Sequence, residues 1–210
     1  TKPLLAIIGG AKVSSKLAIL ENMVEGVDRL MIGGGMAYTF ILAKGGSVGA
    51  SLVEEDMVER ARAILEKAIA YNTEVFLPVD SVCGDRFSED ANFDICSSSE
   101  INDGWMGLDI GPQARAEFEE AVRTSKTILW NGPMGVFEFS ACAKGTFAVA
   151  EAMKDATENG AYTLVGGGDS VAAINAAGFA EDVSYVSTGG GAMLEYLEGK
   201  TLPGIKEIEA

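Results

Sequence analysis

Short runs of aliphatic and β-branched residues alternate along the chain with segments whose apolar positions recur every three or four residues. Residues 4–8 are apolar throughout and predict a strand. Residues 14–25 follow at helical spacing through Leu17, Leu20 and Val24. The same reading gives a strand at 30–32, a helix at 36–43 and a long helix at 54–71. That long helix carries Met57, Ala61, Ile64, Leu65 and Ala68 on one face. A strand at 74–77 stops at Pro78, and 83–104 is polar and irregular, the longest loop-like stretch. A helix over 112–123 opens on Pro112, which suits a first helical position. Strands at 127–130, 162–165 and 183–186 then alternate with helices at 146–158, 171–177 and 192–197. Such alternation predicts an α/β chain: a three-layer, Rossmann-like domain with a mostly parallel sheet covered by helices on both faces. No repeat and no low-complexity linker divides it.

Glycines sharpen this picture, because they fall where strands end. Ile8 runs into Gly9-Gly10-Ala11-Lys12, and Ile32 into Gly33-Gly34-Gly35. Trp130 runs into Asn131-Gly132-Pro133, Val165 into Gly166-Gly167-Gly168-Asp169-Ser170, and Thr188 into Gly189-Gly190-Gly191. One such pair is only a tight turn. Five at equivalent places mark the carboxyl edge of a parallel sheet, where ligands bind and backbone N–H groups at helix starts attract anions. Two nucleotide signatures fail, however. G-x-G-x-x-G beginning at Gly33 meets Tyr38, and the triplets at Gly166 and Gly189 meet Val171 and Leu194. Gly199-Lys200-Thr201 resembles the end of a Walker A loop, but its required earlier glycine is Leu194.

Composition narrows the chemistry. The 210 residues suffice for one substantial domain or two small ones, and 48% hydrophobic content is that of an ordinary globular chain. Lys and Arg number 16 against 31 Asp and Glu, a net charge of -15, which disfavours nucleic acid and anionic membranes as partners. A small anion is still admissible, since surface fields are screened over roughly 8–10 Å. No apolar run approaches the ~18 residues of a membrane span, and Thr1-Lys2-Pro3 opens no signal sequence. Cys83, Cys96 and Cys142 show no Cys-x-x-Cys spacing. They are expected as free thiols, in the cytoplasm or a reducing organelle and not in a secreted protein. Without any His, triads and nearly every zinc site are excluded.

Charged residues beside the glycines carry the remaining signal. Lys12 and Lys16 stand one helical turn apart at the expected start of the first helix, where lysine opposes the helix dipole. They are either solvated surface residues or phosphate ligands. A cation ~4 Å from a phosphate oxygen contributes ~4 kcal/mol at an effective dielectric near 20. Asp169 is either an N-cap or a carboxylate that meets a polyphosphate through Mg²⁺. Glu138 is either a surface residue or an acceptor for sugar hydroxyls.

Taken together, these motifs resemble phosphoglycerate kinase. The resemblance rests on Gly9-Gly10-Ala11-Lys12-Val13-Ser14-Ser15-Lys16, on Gly33-Gly34-Gly35-Met36-Ala37-Tyr38-Thr39-Phe40 and on Leu77-Pro78-Val79-Asp80. It continues through Gly104-Trp105-Met106-Gly107-Leu108-Asp109-Ile110-Gly111-Pro112 and Trp130-Asn131-Gly132-Pro133-Met134-Gly135-Val136-Phe137-Glu138. Gly166-Gly167-Gly168-Asp169-Ser170 and Ser187-Thr188-Gly189-Gly190-Gly191-Ala192 complete it. It covers the whole chain but only the C-terminal, nucleotide-binding half of the family's protein. The N-terminal domain, which carries the phosphoglycerate site, is not part of it.

The resemblance implies reversible phosphoryl transfer from 1,3-bisphosphoglycerate to MgADP, giving 3-phosphoglycerate and MgATP. Lys12 and Gly168 would be the catalytic pair, Lys12 at the phosphoryl group in flight. Lys16 would hold nucleotide phosphates, with Gly10, Ala11 and Asn131 beside them. Gly167, Gly168 and Ser170 would offer donors, and Asp169 would hold Mg²⁺. Glu138 would take the ribose hydroxyls and Pro133 would shape that side. Gly34, Gly35, Gly107, Leu108, Gly135 and Val136 would wall the adenine. Ser170 stands where many members carry Thr. The family's habit is a monomer, and 187–189 resembles part of its hinge. The half-length chain is expected to bind MgADP and MgATP with little or no turnover. A non-catalytic adenine-nucleotide module is the alternative, and a dinucleotide domain is disfavoured by the failed fingerprint.

Overall fold

A computed structural model of the chain describes residues 1–187 together with 189, 192, 195, 196, 199 and 200. Its elements begin with β1 (Leu4–Ile8), α1 (Leu17–Gly26), β2 (Arg29–Ile32), α2 (Met36–Ala43), β3 (Ser47–Val48) and α3 (Val58–Tyr71). Then come β4 (Glu74–Phe76), β5 (Asp80–Gly84), β6 (Phe93–Ser97), β7 (Glu100–Ile101), β8 (Met106–Ile110) and α4 (Pro112–Arg123). β9 (Thr127–Asn131), α5 (Lys144–Glu158), β10 (Tyr162–Gly166), α6 (Gly168–Ala176) and β11 (Tyr185–Ser187) follow.

Six strands form a parallel sheet in the order β11-β10-β9-β1-β2-β4. This is the doubly wound order, and it reverses between β1 and β9. The apolar run of β1 explains its central place. Leu5 and Ile7 point to one face and Ala6 and Ile8 to the other, and each is covered. Phe118 and Val122 of α4, Val149 and Met153 of α5, and Ile174 of α6 pack on the Leu5–Ile7 face. Leu20 and Val24 of α1, Phe40 of α2, and Ala61 and Ile64 of α3 pack on the other. The expected three-layer architecture is what the chain adopts.

Several local expectations need correction. Residues 83–104 are not loop. They hold the end of β5 and all of β6, two of the three strands of an antiparallel sheet β6-β5-β8, and β7, which pairs with β3. Here β6 is exposed at Asp94, Ile95 and Ser97, so it lacks the apolar run that signals a buried strand. Helix α1 starts at Leu17, so Lys12 lies in the preceding loop and Lys16 is the N-cap. The long helix begins as a 3₁₀ turn, Glu55–Met57. Cys83 and Cys96 are joined in a disulfide between β5 and β6, and only Cys142 keeps a free, buried thiol. The expected last helix at 192–197 and the turn at 188–191 lie largely outside the described residues. Among the described residues, no helix is long and apolar enough to cross a membrane.

Two helices are capped from strands rather than by their own sequence. Asp80 of β5 accepts hydrogen bonds from the Gln113 and Ala114 amides at the start of α4, at 3.1 and 2.7 Å. Asp109 of β8 accepts one from the Gly145 amide at the start of α5, at 2.8 Å. Carboxylates are favoured at those positive helix ends.

Candidate nucleotide site

The ends of β1 and β9 meet at the point where the strand order reverses. The Gly9 amide donates to the Asn131 carbonyl at 2.9 Å. The turns press so closely that a Cβ on Gly9 would stand 2.1 Å from the Pro133 carbonyl oxygen. The Gly34 amide donates to the Met134 carbonyl, and the Met36 amide to the Gly10 carbonyl, both at 3.0 Å. Three glycine turns, from β1, β2 and β9, are thus knitted into one floor.

Beyond that floor a cavity of about 360 Å³ opens, within the usual range for small-molecule sites. Gly10, Ala11, Gly34, Gly35, Gly107, Leu108, Pro133, Gly135, Val136, Glu138 and Asp169, all among the residues named from the resemblance, line it together. The lining also holds five residues that motif reading missed: Tyr38, Leu52, Phe87, Met106 and Met134. Tyr38 was accessible to reasoning, since it lies three residues after Gly35 on α2 and so shares its face. Phe87 was not. It lies between β5 and β6 and stands over Phe139, with ring centroids 5.1 Å apart. The cavity walls are mostly apolar, which suits a flat heterocycle, and the carboxylates of Glu138 and Asp169 are exposed.

The antiparallel sheet supplies the far wall. Gly107 is obligatory there, because a Cβ would fall 2.0 Å from the Tyr38 hydroxyl. That hydroxyl donates to Ser81 Oγ at 2.9 Å, and Ser81 shares a hydrogen bond with Ser98 at 2.7 Å. Burial pushes the Tyr38 phenol well above its ordinary range, so it stays protonated. The Val136 amide donates to the Leu108 carbonyl at 2.8 Å and ties the Pro133–Glu138 turn to β8.

Of the predicted phosphate-side residues, Gly10, Ala11 and Asp169 line the cavity, whereas Lys12, Lys16, Asn131, Gly167, Gly168 and Ser170 do not. Lys16 is half-buried and donates through Nζ to Asn131 Oδ1. Asn131 is fully buried and its Nδ2 donates to the Gly166 carbonyl at 2.9 Å. Gly167 takes φ +92°, where a Cβ would crowd Asn131 Nδ2 at 2.7 Å, and α6 begins at the next residue. Gly168 and Asp169 are exposed in its first turn, whereas Ser170 is buried. Ser170 Oγ accepts the Gly132 amide at 2.5 Å, so its side chain braces the turn instead of facing a ligand. Lys12 is exposed on the loop beside Ala11, and its charge faces Glu54. Burial opposes the ionisation of Glu54, but Ser14's hydroxyl and amide, the Val13 amide and Lys12 hold its pKa below the ordinary value.

Among the described residues no three acidic or thiol groups cluster as a metal cage. A lone carboxylate at a helix start fits Mg²⁺ only when phosphates and water complete the shell, as Mg²⁺ prefers. A bigger hollow of about 650 Å³ lies between α4 and α5, lined by Arg115, Glu119, Lys144 and Glu151, and contains none of the predicted residues.

Comparison with known proteins resolves the class. The family model for phosphoglycerate kinase matches residues 1–200. The chain belongs to the phosphoglycerate kinase family. It is 54% identical over 208 residues to a phosphoglycerate kinase of Porphyromonas gingivalis, covering 99% of this chain and 50% of that protein. To the cytosolic phosphoglycerate kinase of Nicotiana tabacum it is 52% identical, covering 99% of this chain and 52% of that protein. The structure of phosphoglycerate kinase from Coxiella burnetii superposes with a TM-score of 0.94 at 44% identity, over 98% of this chain and 52% of that one. The chain spans about half the length of the phosphoglycerate kinases it matches.

Proposed function

We propose that this chain is the C-terminal, nucleotide-binding half of a phosphoglycerate kinase, and that the cavity at the glycine-rich edge takes MgADP and MgATP. One observation carries the reading. A mostly apolar slot of about 360 Å³ ends at Glu138 and at the start of α6, with Lys16 and Asn131 beside it. That arrangement offers, in line, a base pocket, an acceptor for ribose hydroxyls and donors for phosphates.

In this reading Gly34, Gly35, Leu108 and Val136 hold the adenine, and Glu138 and Pro133 the ribose. Lys16 and the amides of Gly167 and Gly168 neutralise the phosphates, and Asp169 holds the metal. Mg²⁺ held at Asp169 would supply positive charge to offset that of the phosphates. Lys12, exposed and one residue beyond the lining, would stabilise the phosphoryl group as its bond to the acyl oxygen of 1,3-bisphosphoglycerate breaks and a bond to the ADP oxygen forms. Such a transfer asks for positioning and charge, not for a histidine base, and this chain has no His.

The acyl phosphate needs its own cationic site and exclusion of water. We assign both to the N-terminal domain found in the remaining half of the matched kinases' length, and the working protein to a monomer in the cytoplasm or an organelle. A coupled ATP-forming assay on the purified 210-residue chain, alone and with an N-terminal half supplied in trans, tests the division. Nucleotide binding with essentially no turnover alone is the expected result. Robust turnover by the chain alone contradicts it.

A further inference from the structure

Asp109 is buried, with 1% of its surface exposed, and nothing in the proposed chemistry uses it. It lies directly behind the wall of the nucleotide cavity. Gly135 of that wall approaches so closely that a Cβ there would fall 2.4 Å from Asp109 Oδ1 and 2.7 Å from its Cα. Gly145, at the start of α5, is equally tight, with 2.2 Å to Oδ1. The carboxylate is therefore wedged between two glycines, one in the cavity wall and one in a helix that packs behind it.

Capping a helix does not account for this arrangement. Asp80, which caps α4, uses both oxygens on backbone amides. Asp109 uses Oδ2 on the Gly145 amide, while Oδ1 is buried without a hydrogen-bond partner and faces Gly135. A buried polar atom left unpaired is costly and calls for a reason.

We propose that Asp109 is a positioning residue for the nucleotide cavity: its ionised carboxylate holds α5 through Gly145 and thereby fixes the Gly135–Val136 wall against the ligand. The inference rests on the nucleotide reading of the cavity. The ionised form makes a charge-assisted bond to the Gly145 amide, which is stronger than a neutral one. Protonation weakens that bond and loosens the hold of α5 on the wall, leaving the Met134 amide's bond to Thr146 Oγ1 at 3.0 Å as a tie between them.

Surrounding groups let this switch operate near neutrality. Burial raises the Asp109 pKa to about 7, against the opposing pull of the Gly145 and Ile110 amides and the Arg115 guanidinium on α4. Tyr38 on α2 and Cys142 on the 3₁₀ turn before α5 also feel its charge. Both are pushed up chiefly by burial, the thiol to about 12, so both stay neutral while Asp109 titrates.

The test is MgADP binding by the 210-residue chain and its Asp109→Asn variant, measured calorimetrically between about pH 6 and pH 8.5. Titration of the nucleotide's own phosphates is common to both proteins and cancels in the ratio of their affinities. We expect wild-type affinity to rise by roughly threefold relative to Asp109→Asn across that range. A constant ratio overturns the proposal while leaving the nucleotide reading intact. Absence of MgADP binding by the wild type at every pH overturns the nucleotide reading, and the proposal with it. Should Asp109→Asn fail to fold, carboxyl-carbon NMR of the wild type decides. By reciprocity, saturating MgADP must lower the Asp109 pKa by about half a pH unit, and an unchanged value overturns the proposal.

Discussion

Gly9 and Gly132 meet backbone to backbone where the strand order reverses, and a Cβ on Gly132 would lie 2.1 Å from the Gly9 carbonyl oxygen. Gly132 also takes φ +104°, a conformation that other residues rarely adopt. Sequence, backbone and cavity are joined at this contact, because the Pro133–Glu138 turn that it launches forms one side of the site. Gly132→Ala should therefore cost about 2–4 kcal/mol and weaken nucleotide binding. Urea unfolding together with a binding titration checks both, and an Ala variant of wild-type stability would contradict the packing.

The hydroxyl chain behind Gly107 is fully buried. Tyr38→Phe removes the donor to Ser81 but keeps the ring against Gly107, so we expect a loss of about 1–1.5 kcal/mol with the fold retained. Chemical denaturation measures it.

The two lysines should separate cleanly. Lys16 is tied to Asn131, and Lys16→Ala should lower MgADP affinity by at least about tenfold, equivalent to about 1.4 kcal/mol. Lys12 is exposed, so Lys12→Ala should leave stability within about 0.5 kcal/mol. In a full-length enzyme the same change should reduce kcat far more than it raises the KM for nucleotide. Wild-type turnover of full-length Lys12→Ala would return this residue to the solvated surface.

Stability should carry the signature of Asp109. Its folded pKa of about 7 lies above the ordinary carboxylate value, so the folded chain binds more protons than the unfolded one between about pH 4 and pH 7. Stability then declines as pH rises through that window, by up to about 4 kcal/mol, and levels off above it. Asp28 and Asp85 are held low, chiefly by hydrogen bonds from Lys2 and Asn92, so they act in the opposite sense and only at the acid end. Denaturation midpoints from about pH 5 to pH 8 should fall for the wild type and stay flat for Asp109→Asn.

Much of this was legible in the residues. The runs at β1 and α2 and the Pro112 start of α4 gave exact boundaries, because buried parallel strands and one-faced helices leave strong periodic signals. Four of the five glycine turns lie, as expected, at the carboxyl ends of β1, β2, β9 and β10; the fifth falls largely outside the described residues. The antiparallel sheet stayed hidden because its strands are short and β6 is half-exposed, so neither period nor hydrophobicity sets it apart from loop. For the same reason Phe87, carried between those strands, escaped notice. The sequence alone does not tell a Ser170 hydroxyl that donates to a ligand from one that, as here, accepts from the Gly132 amide. Lys12 and Lys16 were set on one helix because the sequence does not mark Leu17 as its start: Lys16 is the N-cap of α1, and its side chain bonds Asn131 rather than the first turn.

Isothermal titration of the purified chain with MgADP, with NADH as the competing ligand class, tests the central claim most directly. The account predicts saturable binding of MgADP with a Kd below about 1 mM, a matching change in the fluorescence of Trp130 beside Asn131, and no binding of NADH. Saturable NADH binding with no response to adenine nucleotides would contradict it.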